Sequence, residues 1–534
     1  MKKILLPVFL LSSLFFTAQD KRPNNWFNLD PTFDKINGVS TERAYKELLK
    51  DKKSTTVIVG VIDSGVDFNH EDLKDVMWTN LGEIPNNGID DDKNGYIDDI
   101  HGWNFIGGKD GKNVVYDNLE LTRLIRKLQP KYEGKKETDF TSKIDKKEFQ
   151  FYQQLSNDYS KTKDMFEGSY NQLKFLKEGL TKLNKTIKEE QNVEKVSSEN
   201  LKKYEPTEKA DKQIKFIATT LLKENDNLDV ALKSIEDGYE QIRSMMEYSL
   251  NFDFDPRYII GDDYNNPNEK YYGNADCNGP SSFHGTHVSG IIAASRNNGM
   301  GMDGIATNIK IMSIRCVPNG DERDKDVANG IRYAVDNGAK IINMSFGKKY
   351  SWDKKVVDDA VKYAQSKGVL LIHAAGNNSQ NIDEVLNYPS KKFEDKGQAS
   401  NFMDIGALSW KPNDKIVAAF SNYGKKNVDL FAPGVDIYST SPNNGYVDAS
   451  GTSMAAPVAS GVAAVLKSYY PQLTPEQIKK ILIKSSLKTY KKTKVIKPGT
   501  NNELVKFSDL GKNGGIINLY EAVKMAEGYK KLKT

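Results

Sequence analysis

Apolar residues follow different rhythms in different parts of this chain. Residues 55–62 read Thr-Thr-Val-Ile-Val-Gly-Val-Ile, a β-branched run without alternation, and Asp63 follows it. A run of that kind suits a parallel strand covered on both faces, and open α/β sheets place ligands at such strand ends. Upstream, residues 41–50 carry a helical pattern, behind Trp26 and Phe27. The first rhythm stops near Lys109 and resumes near Phe252. Between them Phe166, Tyr170, Leu173, Leu176, Leu180, Leu183 and Ile187 recur at intervals of 4, 3, 3, 4, 3 and 4. Leu232, Ile235, Tyr239, Ile242 and Met246 follow at 3, 4, 3 and 4. This coiled-coil-like period predicts at least two helices. Short helices are marginal alone, so these are expected to pack as an antiparallel hairpin or small bundle. Asn225-Asp226-Asn227 suits the break between them.

From residue 284 the pattern alternates. It predicts helices over 284–294, 326–337 and 354–367, with strands over 309–317, 339–345 and 369–375. A long Ala/Val-rich helix over 450–466 must be buried, and Pro471 and Pro475 precede another over 476–484. Alternating strands and helices imply a mostly parallel sheet between helical layers, an α/β fold. The helical stretch 110–252 then reads as an insertion between two parts of one domain, 56–109 and 253–534.

Composition changes this picture little. The 534 residues hold 76 Lys and Arg against 72 Asp and Glu, a net charge of +4, which gives no case for nucleic acid. The chain opens Met-Lys-Lys, runs almost wholly apolar from Ile4 to Phe16, and continues Thr17-Ala18-Gln19. That is the form of a signal peptide, 1–18, followed by a short leader, 19–55. It predicts an exported protein, periplasmic or extracellular, without a membrane anchor. Only Cys277 and Cys316 are present, and in an exported chain they either pair or remain as thiols.

Three short segments carry the chemistry. They are Val-Ile-Asp-Ser-Gly at 61–65, His-Gly-Thr-His-Val-Ser-Gly at 284–290 and Gly-Thr-Ser-Met-Ala-Ala-Pro at 451–457. Ser453 is a candidate nucleophile, which needs an adjacent base because a free hydroxyl is a poor one. It stands at an expected helix N-terminus, where free N–H groups favour developing negative charge. His284 is the candidate base, and Asp63 the carboxylate that orients it. His287, three residues on, reads as a packed core histidine rather than a metal ligand. The order Asp, His, Ser differs from that of α/β-hydrolases and of chymotrypsin-like proteases.

With these flanking residues the chain resembles the subtilisin-like serine peptidases, the subtilases. The resemblance covers about 57–108 and 253–525 and implies their three-layer fold, with the helical segment inserted. It implies a secreted serine endopeptidase acting on protein or peptide substrates through an acyl-enzyme on Ser453, without a catalytic cofactor. Asn377, in Ala374-Ala375-Gly376-Asn377, matches the family's oxyanion-hole segment, with Ala375 and Gly376 beside the substrate. Ser345, Phe346 and Gly347 match its substrate-binding edge, where a peptide adds as a β-strand.

Structural calcium is a further expectation. Asp90, Asp92, Asn94, the Tyr96 carbonyl and Asp98 fit the start of an EF-hand-like loop, with Gly95 at the turn. The closing Glu is absent, His101 standing there, and a solvated acidic turn is the alternative. By resemblance, Asp72 and the 297–301 loop mark a second calcium position. The inserted helices are expected to gate the cleft, bind a partner or serve as a spacer. A non-catalytic binding protein on the same fold and an esterase-type hydrolase are the competing readings.

Overall fold

The structure, a computed structural model, describes residues 22–531 except 489 and 491, and not the side chains of 513 and 529–531. The expected signal peptide lies outside the described residues. Residues that follow it are part of the core: Trp26 and Phe27 are fully buried with Val39, Ala44 and Leu49. Helix α1 (Thr41–Ala44) continues through a wider turn, Tyr45–Leu49, and closes this segment.

The β-branched runs form the centre of a seven-stranded sheet. Its strands are β1 (Val57–Asp63), β2 (Gly102–Asn104), β3 (Ile309–Arg315), β4 (Ile341–Met344), β5 (Leu370–Ala374), β6 (Phe402–Leu408) and β7 (Leu430–Pro433). They lie in the order β2-β3-β1-β4-β5-β6-β7, every pair parallel. The sequence pattern predicts β1, β3, β4 and β5. It does not show β2, β6 and β7. Strand β2 has three residues, and Asp404 and Gly406 dilute the apolar run of β6. Asp404 is tolerated there because it meets His373 Nδ1 at 2.8 Å and Lys391 Nζ at 3.0 Å.

Two hydrophobic clusters flank the sheet. On one face pack α7 (Phe283–Ala293), α10 (Thr452–Tyr469), α11 (Pro475–Ser485) and α12 (Leu519–Lys531), with α1. On the other pack α8 (Asp324–Asp336) and α9 (Lys354–Ser366). The expected three layers are therefore present. Two small hairpins lie outside the sheet: β8 (Ile437–Ser441) with β9 (Gly445–Ala449), and β10 (Lys494–Ile496) with β11 (Leu504–Lys506).

The stretch between β2 and α7 is richer in helix than the two predicted. It holds α2 (Glu120–Tyr132), the 49-residue α3 (Lys143–Gln191), α4 (Ser198–Lys203), α5 (Lys209–Leu221) and α6 (Leu228–Ser244). Ser142 caps α3, and Asn227 caps α6 at the predicted break. Helices α3 and α6 run antiparallel: Asn184 bonds Asp229 at 2.8 Å, and Tyr170 stacks on Tyr239. Leu180, Leu183 and Ile187 of α3 bury against Ile214 and Ala218 of α5 and Leu228 and Leu232 of α6. The apolar pattern understates α3 because much of its N-terminal half faces solvent.

The cysteines do not pair. Cys277 and Cys316 are both free and buried. Burial pushes the Cys277 thiol up to about 12, and the Cys316 thiol is raised well above its ordinary value for the same reason. We expect no reaction with an aromatic disulfide reagent in the native protein, and two reactive thiols on unfolding without reductant. Fewer than two would mean a disulfide.

Candidate active site

The sheet topology assembles the site. Strand β1 is flanked by β3 and β4, so the chain crosses over it between those two strands. Side chains that follow the C-terminal ends of β1, β4 and β5 consequently converge at one edge of the sheet, the usual place for ligands in such folds. Asp63 ends β1, Ser345–Gly347 follow β4, and Ala375–Asn377 follow β5.

His284 is the second residue of α7. The helix comes very close to the turn after β1: a Cβ on Gly285 would stand 2.1 Å from the Gly65 carbonyl oxygen. Gly65 itself has φ +114°, a conformation that disfavours side chains. These two glycines let His284 Nδ1 meet Asp63 Oδ1 at 2.7 Å. Asp63 is 1% exposed, and the same oxygen accepts the Ser64 N–H at 2.8 Å. Burial disfavours a charged imidazole, but the attraction of the Asp63 carboxylate and its hydrogen bond outweigh this and hold the His284 pKa above its ordinary value. His287 is fully buried, its Nε2 at 3.1 Å from the carbonyls of Ile437 and Val447. Burial pushes its pKa down to about 4.

Ser453 is the second residue of α10, so its N–H is among those unbonded within the helix. Its hydroxyl donates to the Ser345 carbonyl at 3.0 Å, and the Ser345 hydroxyl donates back to the Ser453 carbonyl at 2.8 Å. Asn343 and Ser460 extend this network: Asn343 Nδ2 donates to Ser345 Oγ and Ser460 Oγ to Asn343 Oδ1. Among the described residues no hydrogen bond joins Ser453 to His284. Apo sites often show such loose catalytic contacts.

Asn377 is turned by Thr452, a residue that the sequence reading passed over. Asn377 Oδ1 accepts both the Thr452 N–H at 2.9 Å and the Thr452 hydroxyl at 2.8 Å. Its Nδ2 is thereby directed elsewhere. A Cβ on Gly451 would lie 3.5 Å from Asn377 Nδ2 and 3.5 Å from Ser453 N. Both nitrogens therefore lie close to one point beside Gly451. Thr452 was readable only as part of the Gly-Thr-Ser string.

Phe346 is half-buried and Gly347 exposed. Neither carries a backbone hydrogen bond among the described residues. Ala375 and Gly376 form the facing wall: the Ala375 carbonyl accepts from Asn422 and Asn387, and Gly376 N–H donates to Thr452 Oγ1. Asn387 reaches toward Gly347, where a Cβ would approach its Nδ2 to 2.7 Å.

The acidic loop departs from its predicted ligand set. Glu83, Asp90 and Asp92 bring carboxylate oxygens within 4.8 Å of one another. Asn94 joins them, its N–H bonded to Asp90 and Asp92. Asp98 turns instead to the N–H groups of Asn87 and Gly88. Glu83, from the preceding turn, was not legible as a participant because it lies outside the loop's spacing. Asp72 is buried and accepts from Asn298 Nδ2 at 2.6 Å, so that aspartate and the 297–301 loop do meet.

The raised His284 pKa sets a pH dependence. Ser453 can pass a proton only to neutral imidazole. Its labelling by a fluorophosphonate is expected to increase with pH, with a midpoint above 6.5, the unperturbed imidazole value. Asp63→Asn is expected to move that midpoint downward and slow labelling at every pH. An unmoved midpoint would refute the role assigned to Asp63.

The chain is similar in sequence to known serine proteases. The chain is 42% identical over 186 residues to the thermophilic serine proteinase of Bacillus sp. (strain AK1), covering 35% of this chain and 42% of that protein. It is 35% identical over 208 residues to subtilisin DY of Bacillus licheniformis, covering 39% and 69%. It is 40% identical over 186 residues to thermitase of Thermoactinomyces vulgaris, covering 35% and 61%. The chain thus spans less than half of the first of these relatives. A family model described as the subtilase family matches residues 54–508. A match across that much of the sequence settles its affiliation: this chain belongs to the subtilase family.

Proposed function

We propose that this protein is a serine-type peptidase that hydrolyses peptide bonds in proteins or peptides through an acyl-enzyme. The observation that supports the reading is the hydrogen bond between Asp63 and His284, 221 residues apart, at the same strand ends as Asn377 and Ser453, whose nitrogens both lie 3.5 Å from a Cβ placed on Gly451. A substrate carbonyl that enters this space draws both donors toward its oxygen. The Ser453 hydroxyl then leaves the Ser345 carbonyl and turns to His284, which takes its proton as the new C–O bond forms. Asp63 stabilises the resulting imidazolium. The donors stabilise the oxyanion without reorganising, because Thr452 already holds Asn377. Collapse passes the proton to the leaving amine. Water, deprotonated by His284, then hydrolyses the ester. Every group in this sequence is supplied by the chain.

In this reading 56–109 and 253–534 form one catalytic domain, and 110–252 is inserted in it. We place its work outside the cytoplasm, periplasmic or extracellular, on the strength of the basic-then-apolar start of the chain. No helix among the described residues is long and apolar enough to cross a membrane.

We also assign a structural calcium to the acidic loop. Its donors fit a hard cation: Glu83, Asp90 and Asp92 offer carboxylate oxygens, and Gly95 makes the turn with φ +96°. Calcium there would neutralise clustered carboxylates and pin the loop.

Ser453→Ala is expected to abolish casein cleavage by the purified protein. Asn377→Ala should lower kcat by about 10²–10³-fold, the loss known for the equivalent donor of subtilisin, a member of the family. Cleavage that survives Ser453→Ala would overturn the reading. Calcium at about 100-fold over its Kd should add about 2.7 kcal/mol to stability. The resulting rise in Tm should vanish in Glu83→Gln, and a rise retained there would remove the loop as the site.

A further inference from the structure

The turn that carries Asp63 is gripped by a buried cation from the neighbouring strand. Arg315 ends β3 and stands in register with Asp63 at the end of β1. Paired strands lie about 4.8 Å apart, so the two residues are direct neighbours. Arg315 is fully buried. Among the described residues no carboxylate comes within ion-pair distance of it, and Asp276 attracts it only from farther off. Its hydrogen-bond partners are neutral oxygens. Nε donates to the Ser64 carbonyl at 3.0 Å and Nη2 to the Val114 carbonyl at 2.6 Å. Nη1 donates to Asn104 Oδ1 at 3.1 Å and, at 3.5 Å, to the Ile106 carbonyl. Gly279 leaves room for the guanidinium: a Cβ there would stand 2.2 Å from Nε.

A buried cation without a paired carboxylate is costly, and burial pushes this one down to about 10. It stays charged at neutral pH. A side chain that only filled the space would avoid that cost, so the hydrogen bonds are what distinguish arginine here. Among the described residues the Ser64 carbonyl has no other donor. The peptide that follows it enters Gly65, at φ +114°, where glycine adopts either sign of φ with ease. The backbone alone therefore does not fix that peptide, and the side chains of the turn do not help. The Ser64 hydroxyl and Asp63 Oδ2 are both buried without a hydrogen-bond partner. Yet the turn must be fixed, because Asp63 Oδ1 accepts the Ser64 N–H at 2.8 Å and meets His284 Nδ1 at 2.7 Å. Gly285, next to His284, also rests against the Gly65 carbonyl.

We infer that Arg315 is a positioning residue: its Nε–H holds the turn in which Ser64 N–H and His284 share one oxygen of Asp63, and so sets the orientation of the imidazole. The inference rests on the serine-peptidase reading. The chain of contacts is continuous, from Arg315 Nε to the Ser64 carbonyl, through Ser64 to its N–H, to Asp63 Oδ1 and to His284 Nδ1. The other nitrogens of the guanidinium anchor it to β2 and to the Ile106 and Val114 carbonyls, so the grip on Ser64 is braced from the far side of the sheet edge.

Arg315→Lys isolates the decisive bond. Lysine keeps the charge and brings an ammonium toward Asn104 and Val114, but it places a methylene where Nε–H donates to Ser64. The readouts are kcat and KM on a peptide taken from the casein digest, Tm, and the pH midpoint of fluorophosphonate labelling. Asp63 is the charged group that acts on His284, and His287 on the same helix is neutral above about 4, so the midpoint reports the Asp63 contact. In Arg315→Lys kcat should fall at least about tenfold with KM within about twofold, since a small misplacement of a catalytic group costs up to about 10²-fold. The midpoint should move downward, in the direction of Asp63→Asn. Arg315→Met should lose as much kcat as Arg315→Lys, and if it does not fold, Arg315→Lys decides alone. Parental kcat and midpoint in Arg315→Lys, whatever its Tm, would overturn the inference and leave Arg315 a structural cation. A parent protein whose Ser453 is not labelled would instead overturn the peptidase reading, and the inference with it.

Discussion

The contact between Asp63 and His284 joins positions 221 residues apart, and much of the architecture follows from keeping it at 2.7 Å. Any segment placed between β1 and α7 must leave the domain and return close to its point of departure. The inserted helices do so. The rings of Tyr116 and Tyr248 stack with centroids 4.3 Å apart, and Asn118 Nδ2 donates to the carbonyls of Tyr248 and Asn251. Closer to the sheet, Asn104 and Asn274 exchange backbone hydrogen bonds. The excursion is closed twice before it reaches the catalytic residues, so the long lever of α3 does not pull on His284.

The root of that excursion is held by buried charge as well as by apolar packing of α2 against Tyr350, and the charge has consequences. Glu120, Arg123 and Lys348 are each at most 4% exposed as residues. Removing ions of this kind from water costs several kcal/mol apiece, so the cluster is weak evidence for stability. Apolar residues of similar volume would hold the root about as well. Charged groups instead fix direction: Arg123 has to face the Asp321 and Glu322 carbonyls, and Lys348 has to face Glu120. Breaking one pair would leave a buried charge at a cost of about 3–5 kcal/mol, which makes the root stiff.

The sequence discloses the proposed catalytic residues better than their surroundings. Asp63, His284 and Ser453 each sit in a short string whose neighbours are constrained by close approach, as Gly65 and Gly285 show. Strands β1, β3, β4 and β5 were readable because burial on both faces demands continuous apolar runs. Strands β6 and β7 were not, since buried polar partners such as Lys391 compensate the carboxylates of Asp404 and Asp429 within them or beside them. The periodicity of the insertion disclosed the seam between α3 and α6, but not α2, because Glu120 and Arg123 read as ordinary charges of a solvated helix. Their burial is created by residues some two hundred positions away. Glu83 escaped notice for a similar reason, as its partnership with Asp90 and Asp92 comes from a turn rather than from spacing.

These two kinds of residue divide the labour of the site. In the proposed reaction the acting groups are those that strand ends and helix N-termini place, so a large excursion between β1 and α7 is compatible with it. The segment that follows β4 is itself paired beyond Gly347, where Lys348 exchanges backbone hydrogen bonds with Tyr388. An edge strand left open would accept any extended chain through its main-chain groups, independent of side chains.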